Sequence, residues 1–249
     1  YIENKKLIWN FDHRLCAFSL TNQNNILLCA FDTFFSFFDI TNHIIKKLDK
    51  QVNLPSKVRF NDGKTDGYGR FWCGSMSESN PSKPGGAIYM LDRKQEIHEV
   101  IKGIHISNSI TASFDNKNFY YADTYKKLIY KTSLYKNKPY IKNANILVDN
   151  SNVSGFPDGS TVDSNNTLWN AEWNGGQVAQ YDKNGKIIST IKTPMKKPTC
   201  VAFGGPNMNK LFITSAKDIN SNEDDASGKT ICIQMNVKGQ LSNRYILNL

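Results

Sequence analysis

The chain has 249 residues, with 31 Lys and Arg against 22 Asp and Glu, for a net charge of +9. All-β folds of about 250 residues run as one domain, so residues 1–249 are expected to form a single domain. The positive balance raises nucleic acid and anionic membranes as partners. The lysines are scattered, however (Lys46, Lys47 and Lys50; Lys126 and Lys127; Lys196 and Lys197), with no dense basic run and no nucleic-acid motif. The expectation is therefore a solvated surface, with no nucleic acid and no membrane as partner.

Five cysteines (Cys16, Cys29, Cys73, Cys200 and Cys232) make an odd count without CxxC spacing. That argues against a disulfide framework and against a thiolate zinc site, and it fits a cytoplasmic location. The sequons at Asn152 and Asn165 point the other way. No apolar run approaches the ~20 residues of a membrane helix. The chain starts at Tyr1 rather than Met, which leaves a removed signal peptide open. A monomer or weak oligomer is expected.

Along the chain, short β-branched and aromatic runs alternate with Asn, Asp and Gly, the chemistry of strands and turns. Asn25–Ala30, Arg70–Gly74, Asn118–Ala122, Thr167–Ala171 and Lys210–Thr214 resemble one another. Their first apolar positions, Ile26, Phe71, Phe119, Leu168 and Leu211, are 45, 48, 49 and 43 residues apart. A second strand is expected after each, over residues 34–39, 87–92, 128–132, 177–182 and 230–235, and a third is clearest at 187–191. Four strands per 40–50 residues is the signature of a propeller blade. Five units are visible, and the C-terminal Arg244–Leu249 reads as part of a sixth. The fold expected is an all-β, six-bladed propeller of four-stranded antiparallel blades, its first or closing blade incomplete at the N-terminus. The polar stretch Asn220–Ser227 reads as a surface excursion.

The inner strand of each blade lines the axis, so equivalent positions converge there. Asn61 lies 10 residues before Phe71, Asn108 lies 11 before Phe119, and Asp158 lies 10 before Leu168. Cys16, 10 before Ile26, breaks the pattern. Two amide oxygens and a carboxylate form a hard donor set suited to Ca²⁺, Mg²⁺ or Mn²⁺, and to Zn²⁺ where water fills the shell; turn formation is the competing explanation of the same residues. His13, His43, His98 and His105 have no ligand-pair spacing and read as surface or packing residues. Trp72, Trp169 and Trp173 read as core rather than as a pocket frame. There is no GxSxG, P-loop or GxGxxG motif.

Arg59–Asp66, running on to Gly69–Met76, resembles the central signature of the gluconolactonase, regucalcin (senescence marker protein) and luciferin-regenerating enzyme family. Ile106-Ser107-Asn108 is similar to its ISN segment and Phe156-Pro157-Asp158-Gly159 to its PDG segment. Pro198–Gly205 and Phe212–Ala216 are similar to its last motif, so the resemblance covers essentially the whole chain in order. It implies a propeller with one divalent cation (Ca, Zn, Mn or Mg) and a small-molecule lactone as substrate. It makes Asp158 both metal ligand and general base, and Asn108 a ligand. Arg59 and Asn61 bind substrate, and Glu78 is a further acidic substrate contact.

Two departures stand out. The family's N-terminal Gly-Glu-x-Pro-x-Trp segment is absent, and Glu3 has the wrong neighbours to replace it, so the chain reads as N-terminally truncated relative to the family. Ser109 stands where the ISN segment usually has glycine. The function implied is divalent-metal-dependent hydrolysis of sugar lactones such as gluconolactone. The alternatives are a calcium-binding regulatory protein, a propeller inactive for want of the N-terminal glutamate, and an enzyme acting on another cyclic ester.

Overall fold

The computed structural model describes residues 7–138, 141, 144–217 and 226–248. Among these, nineteen strands form five antiparallel sheets. Blade 1 is β1 (Leu15–Leu20), β2 (Ile26–Phe31), β3 (Phe35–Asp39) and β4 (Ile44–Lys47). Blade 2 is β5 (Val58–Thr65), β6 (Phe71–Ser77), β7 (Gly86–Leu91) and β8 (Ile97–Ile104). Blade 3 is β9 (Ser107–Ala112), β10 (Asn118–Asp123), β11 (Leu128–Ser133) and β12 (Asn145–Asp149). Blade 4 is β13 (Phe156–Val162), β14 (Leu168–Trp173), β15 (Gln177–Tyr181) and β16 (Ile187–Lys192). Blade 5 has three strands, β17 (Pro198–Gly204), β18 (Lys210–Ser215) and β19 (Thr230–Gln234). The repeated runs become the second strands and the runs after them the third, within a residue or two of the expected ends.

The β-propeller architecture is as expected, but the blade count is five, not six. Among the described residues, residues 244–248 add no further sheet. Past β19 the backbone runs as a tail whose hydrogen bonds go to several blades in turn, so it has no single strand to pair along. Ser164 N–H donates to Lys238 O (2.8 Å) and Gly239 N–H to Met208 O (2.8 Å). Tyr245 N–H donates to Leu20 O (2.8 Å), Asn22 N–H to Tyr245 O (3.0 Å) and Ile246 N–H to Gly69 O (3.1 Å). The pairing of Tyr245 with Thr21 is a single parallel bridge. Leu249 lies outside the described residues, as do Glu3 and most of the Asn220–Ser227 excursion.

Most of the core lies between adjacent blades, while the other face of blade 1 packs Phe31, Phe34 and Phe38 against Trp9 and Phe11 of the segment before β1. Phe35, Phe60, Phe71 and Tyr89 fill the space between blades 1 and 2. Trp72, Ile110 and Phe119 lie between blades 2 and 3, Tyr120, Val162 and Tyr181 between blades 3 and 4, and Trp169, Val201 and Leu211 between blades 4 and 5. Each such side chain contributes about 1.5–3 kcal/mol on burial.

Aspartates in the first hairpin of blades 2 and 4 fix the tryptophans. Asp66 accepts from the Tyr68 and Arg70 amides and from Trp72 Nε1 (2.8 Å). Asp163 accepts from the Asn165 and Thr167 amides and from Trp169 Nε1 (2.9 Å). Trp72 and Trp169 are thus core residues, and Trp173 packs edge-on against Phe156.

Candidate active site

The inner strands β1, β5, β9, β13 and β17 surround the axis, each packing on the next. In every one the antiparallel register slips at the same point: at Leu15/Ala17, at Phe60/Gly63, opposite Tyr120/Ala122 in β9, at Pro157/Ser160 and at Pro198/Cys200. A bulge breaks strict alternation and re-aims side chains. The residues at or beside these bulges are Cys16, Asn61 with Asp62, Asn108 with Ser109, Asp158 with Gly159, and Cys200. The five cysteines are free.

The structure brings Arg59, Asn61, Glu78 and Asn108 into one hydrogen-bonded series that ends beside Asp158. Arg59 Nε donates to Glu78 Oε1 (2.9 Å), and its Nη1 donates to Phe60 O and Asn61 Oδ1 (both 2.8 Å). Asn61 Nδ2 donates to Ser107 O (3.0 Å) and Asn108 Oδ1 (2.9 Å). Asn108 Nδ2 donates to Thr124 Oγ1 (2.9 Å), and Thr124 donates to Pro157 O (2.7 Å), next to Asp158.

Asp158 is half-buried at the bulge of the inner strand β13. Burial raises its carboxyl well above the usual carboxylate range, and the neighbouring Asp62 carboxylate raises it further, against the lowering effect of the Gly159 amide. Asp62 is raised too, by burial, with Lys64 opposing. Asp62 Oδ2 accepts from the Ile110 amide (2.9 Å), and Lys64 Nζ donates to Ser160 O (2.6 Å). Glu78, at the rim, is lowered, first by its hydrogen bond from Arg14.

Sequence reasoning missed the groups that carry these contacts between blades. Ser109 takes the left-handed backbone (φ 56°) that glycine adopts without strain. Its hydroxyl donates to Asp158 O (2.6 Å) and lies 3.0 Å from Ser160 Oγ. Buried Asn170 donates from Nδ2 to Ser109 Oγ (2.8 Å), Ser160 Oγ (2.9 Å) and Asp158 O (3.0 Å). The available signal was position: Asp62 and Ser109 each follow an axis residue. Gly159 is required for space, because a Cβ there would sit 2.5 Å from Cys200 Sγ.

The histidines stand apart from this series. His105 Nδ1 is 2.8 Å from Asp123 Oδ2 and its ring stacks on Tyr125, His98 is 3.1 Å from Asp92, and His13 is 3.6 Å from Asp32. Among the described residues no three His, Cys, Asp or Glu side chains gather as a metal cluster. A divalent ion would instead rely on mixed oxygen donors, and Asp158 with Asn108 suits one. Asn108 Oδ1 accepts one hydrogen bond and keeps a second lone pair. Asp62 and Asp158 are close enough for the Asp62 carboxylate to raise the Asp158 carboxyl, and Lys64 opposes the rise at Asp62. Hard oxygens of this kind suit Ca²⁺, Mn²⁺ or Mg²⁺, with water completing the shell.

Comparison with known proteins gives a consistent outcome. Residues 2–217 match the model of the SMP-30/gluconolactonase/LRE-like region. A pentonolactonase of Haloferax volcanii is 33% identical over 66% of this chain and 55% of its own length. Regucalcin of Danio rerio is 33% identical over 74% of this chain and 63% of its own. The chain thus spans less than two thirds of either relative. The crystal structure of regucalcin from Agrobacterium tumefaciens, described as a calcium-binding protein, superposes with a TM-score of 0.87 at 28% identity, over 97% of this chain and 82% of that one.

Proposed function

The chain belongs to the SMP-30/gluconolactonase/LRE-like family, and on that premise we propose that it is a divalent-metal-dependent lactonase hydrolysing sugar lactones. The observation that carries the reading is the placement of Arg59, Asn61, Asn108 and Asp158 by three adjoining inner strands in one connected series at the axis. The names of relatives, lactonases of pentonic sugars among them, support it.

In this reading Asp158 and Asn108 hold the cation. When bound, such an ion would supply Lewis acidity toward the lactone carbonyl and its developing negative charge. Asp158 takes a proton from the attacking water at a carboxylate oxygen and returns it to the departing ring oxygen. Arg59 directs its planar guanidinium to ring hydroxyls, held in place by Phe60 O and Asn61. Asn61 fixes Asn108 through Nδ2, which orients the Asn108 oxygen. Glu78 accepts from a sugar hydroxyl at the rim.

The test is release of acid from glucono-δ-lactone and pentono-lactones, followed in a pH-stat with EDTA or with added Mn²⁺, Zn²⁺ or Ca²⁺. Turnover that EDTA abolishes and a metal restores supports the proposal; no turnover with any metal, in folded protein, rejects it. The likeness to a calcium-binding regucalcin favours one second reading, metal binding without turnover. Calcium-dependent stabilisation of a protein inactive on every lactone would select it.

A further inference from the structure

Arg14 has no role in the site as described so far, yet it makes the contact that closes the rim. It stands one residue before β1, on a different blade from Arg59 and Glu78. Its Nη1 donates to Glu78 Oε1 at 2.5 Å, the same oxygen that accepts from Arg59 Nε at 2.9 Å. Glu78 follows β6 directly and its amide is bound to Lys57 O (2.9 Å), so its backbone is fixed while its side chain is 44% exposed. A glutamate side chain so exposed has several rotamers, and holding it in one costs entropy. Two guanidiniums converging on one oxygen select a single position and leave Oε2 outside both hydrogen bonds. A carboxylate oxygen beside a guanidinium offers an acceptor and a donor together, the pair that reads neighbouring hydroxyls on a sugar ring.

We propose that Arg14 is a positioning residue: from blade 1 it holds Glu78 against Arg59, so that the two grip adjacent hydroxyls of a polyhydroxylated lactone or of the sugar acid it yields. The proposal rests on the lactonase reading for the identity of the ligand. Arg14 acts through Glu78, so its effect appears in substrate affinity and not in the proton transfers at Asp158. Its side chain is 58% exposed, and an exposed ion pair contributes little to folding.

The experiment is a double-mutant cycle on the full chain with Arg14→Ala, Glu78→Gln and both together, plus Arg14→Lys. Affinity for D-gluconate is read by calorimetry, KM and kcat with glucono-δ-lactone, and thermal midpoint on the same samples. Arg14→Ala is expected to weaken gluconate binding and raise KM by about two- to fivefold, the range of an exposed ion pair. The kcat and thermal midpoint stay near wild type, and Arg14→Lys recovers part of the affinity. In the Glu78→Gln background, where only a neutral amide oxygen is left to accept, Arg14→Ala has a smaller effect than in the wild type. Independent, additive effects of the two substitutions, or a fall in kcat at constant KM, would overturn the proposal. Wild-type protein that binds gluconate in an Arg14-dependent way but hydrolyses no lactone would reject the lactonase reading and uphold the role of Arg14. Wild-type protein that does not bind gluconate would overturn the role of Arg14.

Discussion

Blades 2, 3 and 4 and the two end blades are built from the same strand pattern but joined by different means. Among the middle three, polar side chains at the axis cross from blade to blade: Asn61 to Asn108, Ile110 N–H to Asp62, Lys64 to Ser160 O, Ser109 to Asp158 O and Thr124 to Pro157 O. Blades 1 and 5 bring Cys16 and Cys200 to the same bulges, and burial pushes the Cys200 thiol up to about 11. Between these two blades runs the C-terminal tail, over a cavity of about 160 Å³ lined by Phe18, Leu20, Phe203 and Leu241. Gly239 passes so close to Phe203 that a Cβ would lie 2.1 Å from its Cβ. Tyr245 is fully buried, packs beside Phe37 and donates to Asp92 O (2.6 Å). On the proposed reading, metal binding and proton transfer belong to the middle blades, Arg14 of blade 1 contributes at the rim, and closure belongs to the tail.

Breaking the closure is expected to give the largest change. Tyr245→Ala should destabilise the fold by about 3–5 kcal/mol, the range for an aromatic removed from a core, measured by urea unfolding. An effect below 1 kcal/mol would mean that the tail holds nothing together.

Metal binding at the middle blades comes next. An ion at a hundred times its Kd stabilises by about 2.7 kcal/mol, read as a rise in thermal midpoint with Mn²⁺ or Ca²⁺. That rise should disappear in Asn108→Ala and persist in Cys16→Ala; the reverse pattern would move the ion out of the middle blades.

Ser109→Ala should cost about 1 kcal/mol, since it removes the buried hydrogen bond to Asp158 O while Asn170 Nδ2 still reaches Asp158 O and Ser160 Oγ. Its activity should fall with its stability, because the same contacts locate Asp158; full activity would show that Asp158 is placed by other means. Cys16→Ser is expected to be smallest, about 1 kcal/mol or less and within about twofold in activity. A larger loss of turnover would bring blade 1 into the chemistry.

The strands and the axis were legible because period-two patterning and blade phase are local and repeated. Ile26, Phe71, Phe119, Leu168 and Leu211 each open or nearly open a second strand, and Asn61, Asn108 and Asp158 each fall at a bulge. The blade count was not legible. Tyr245, Ile246 and Leu247 have the composition of a strand, yet their partners are Leu20 and Asn22 of blade 1 and, between them, Gly69 of blade 2. No local pattern encodes that route. Ser109 and Arg14 were missed for a related reason: the partner of each lies on another blade, 49 and 64 residues away.

The most direct test of the account is kcat/KM for lactone hydrolysis by Asp158→Asn, measured with the preferred metal, alongside the thermal midpoint of the metal-free protein. Removing a proton acceptor of this kind costs about 100- to 10,000-fold in rate. Removing a buried negative charge beside Asp62 leaves the fold as stable as wild type or more so. Lost activity with retained or raised stability is the predicted result. Wild-type turnover in the variant would contradict the assignment of the chemistry to the middle blades.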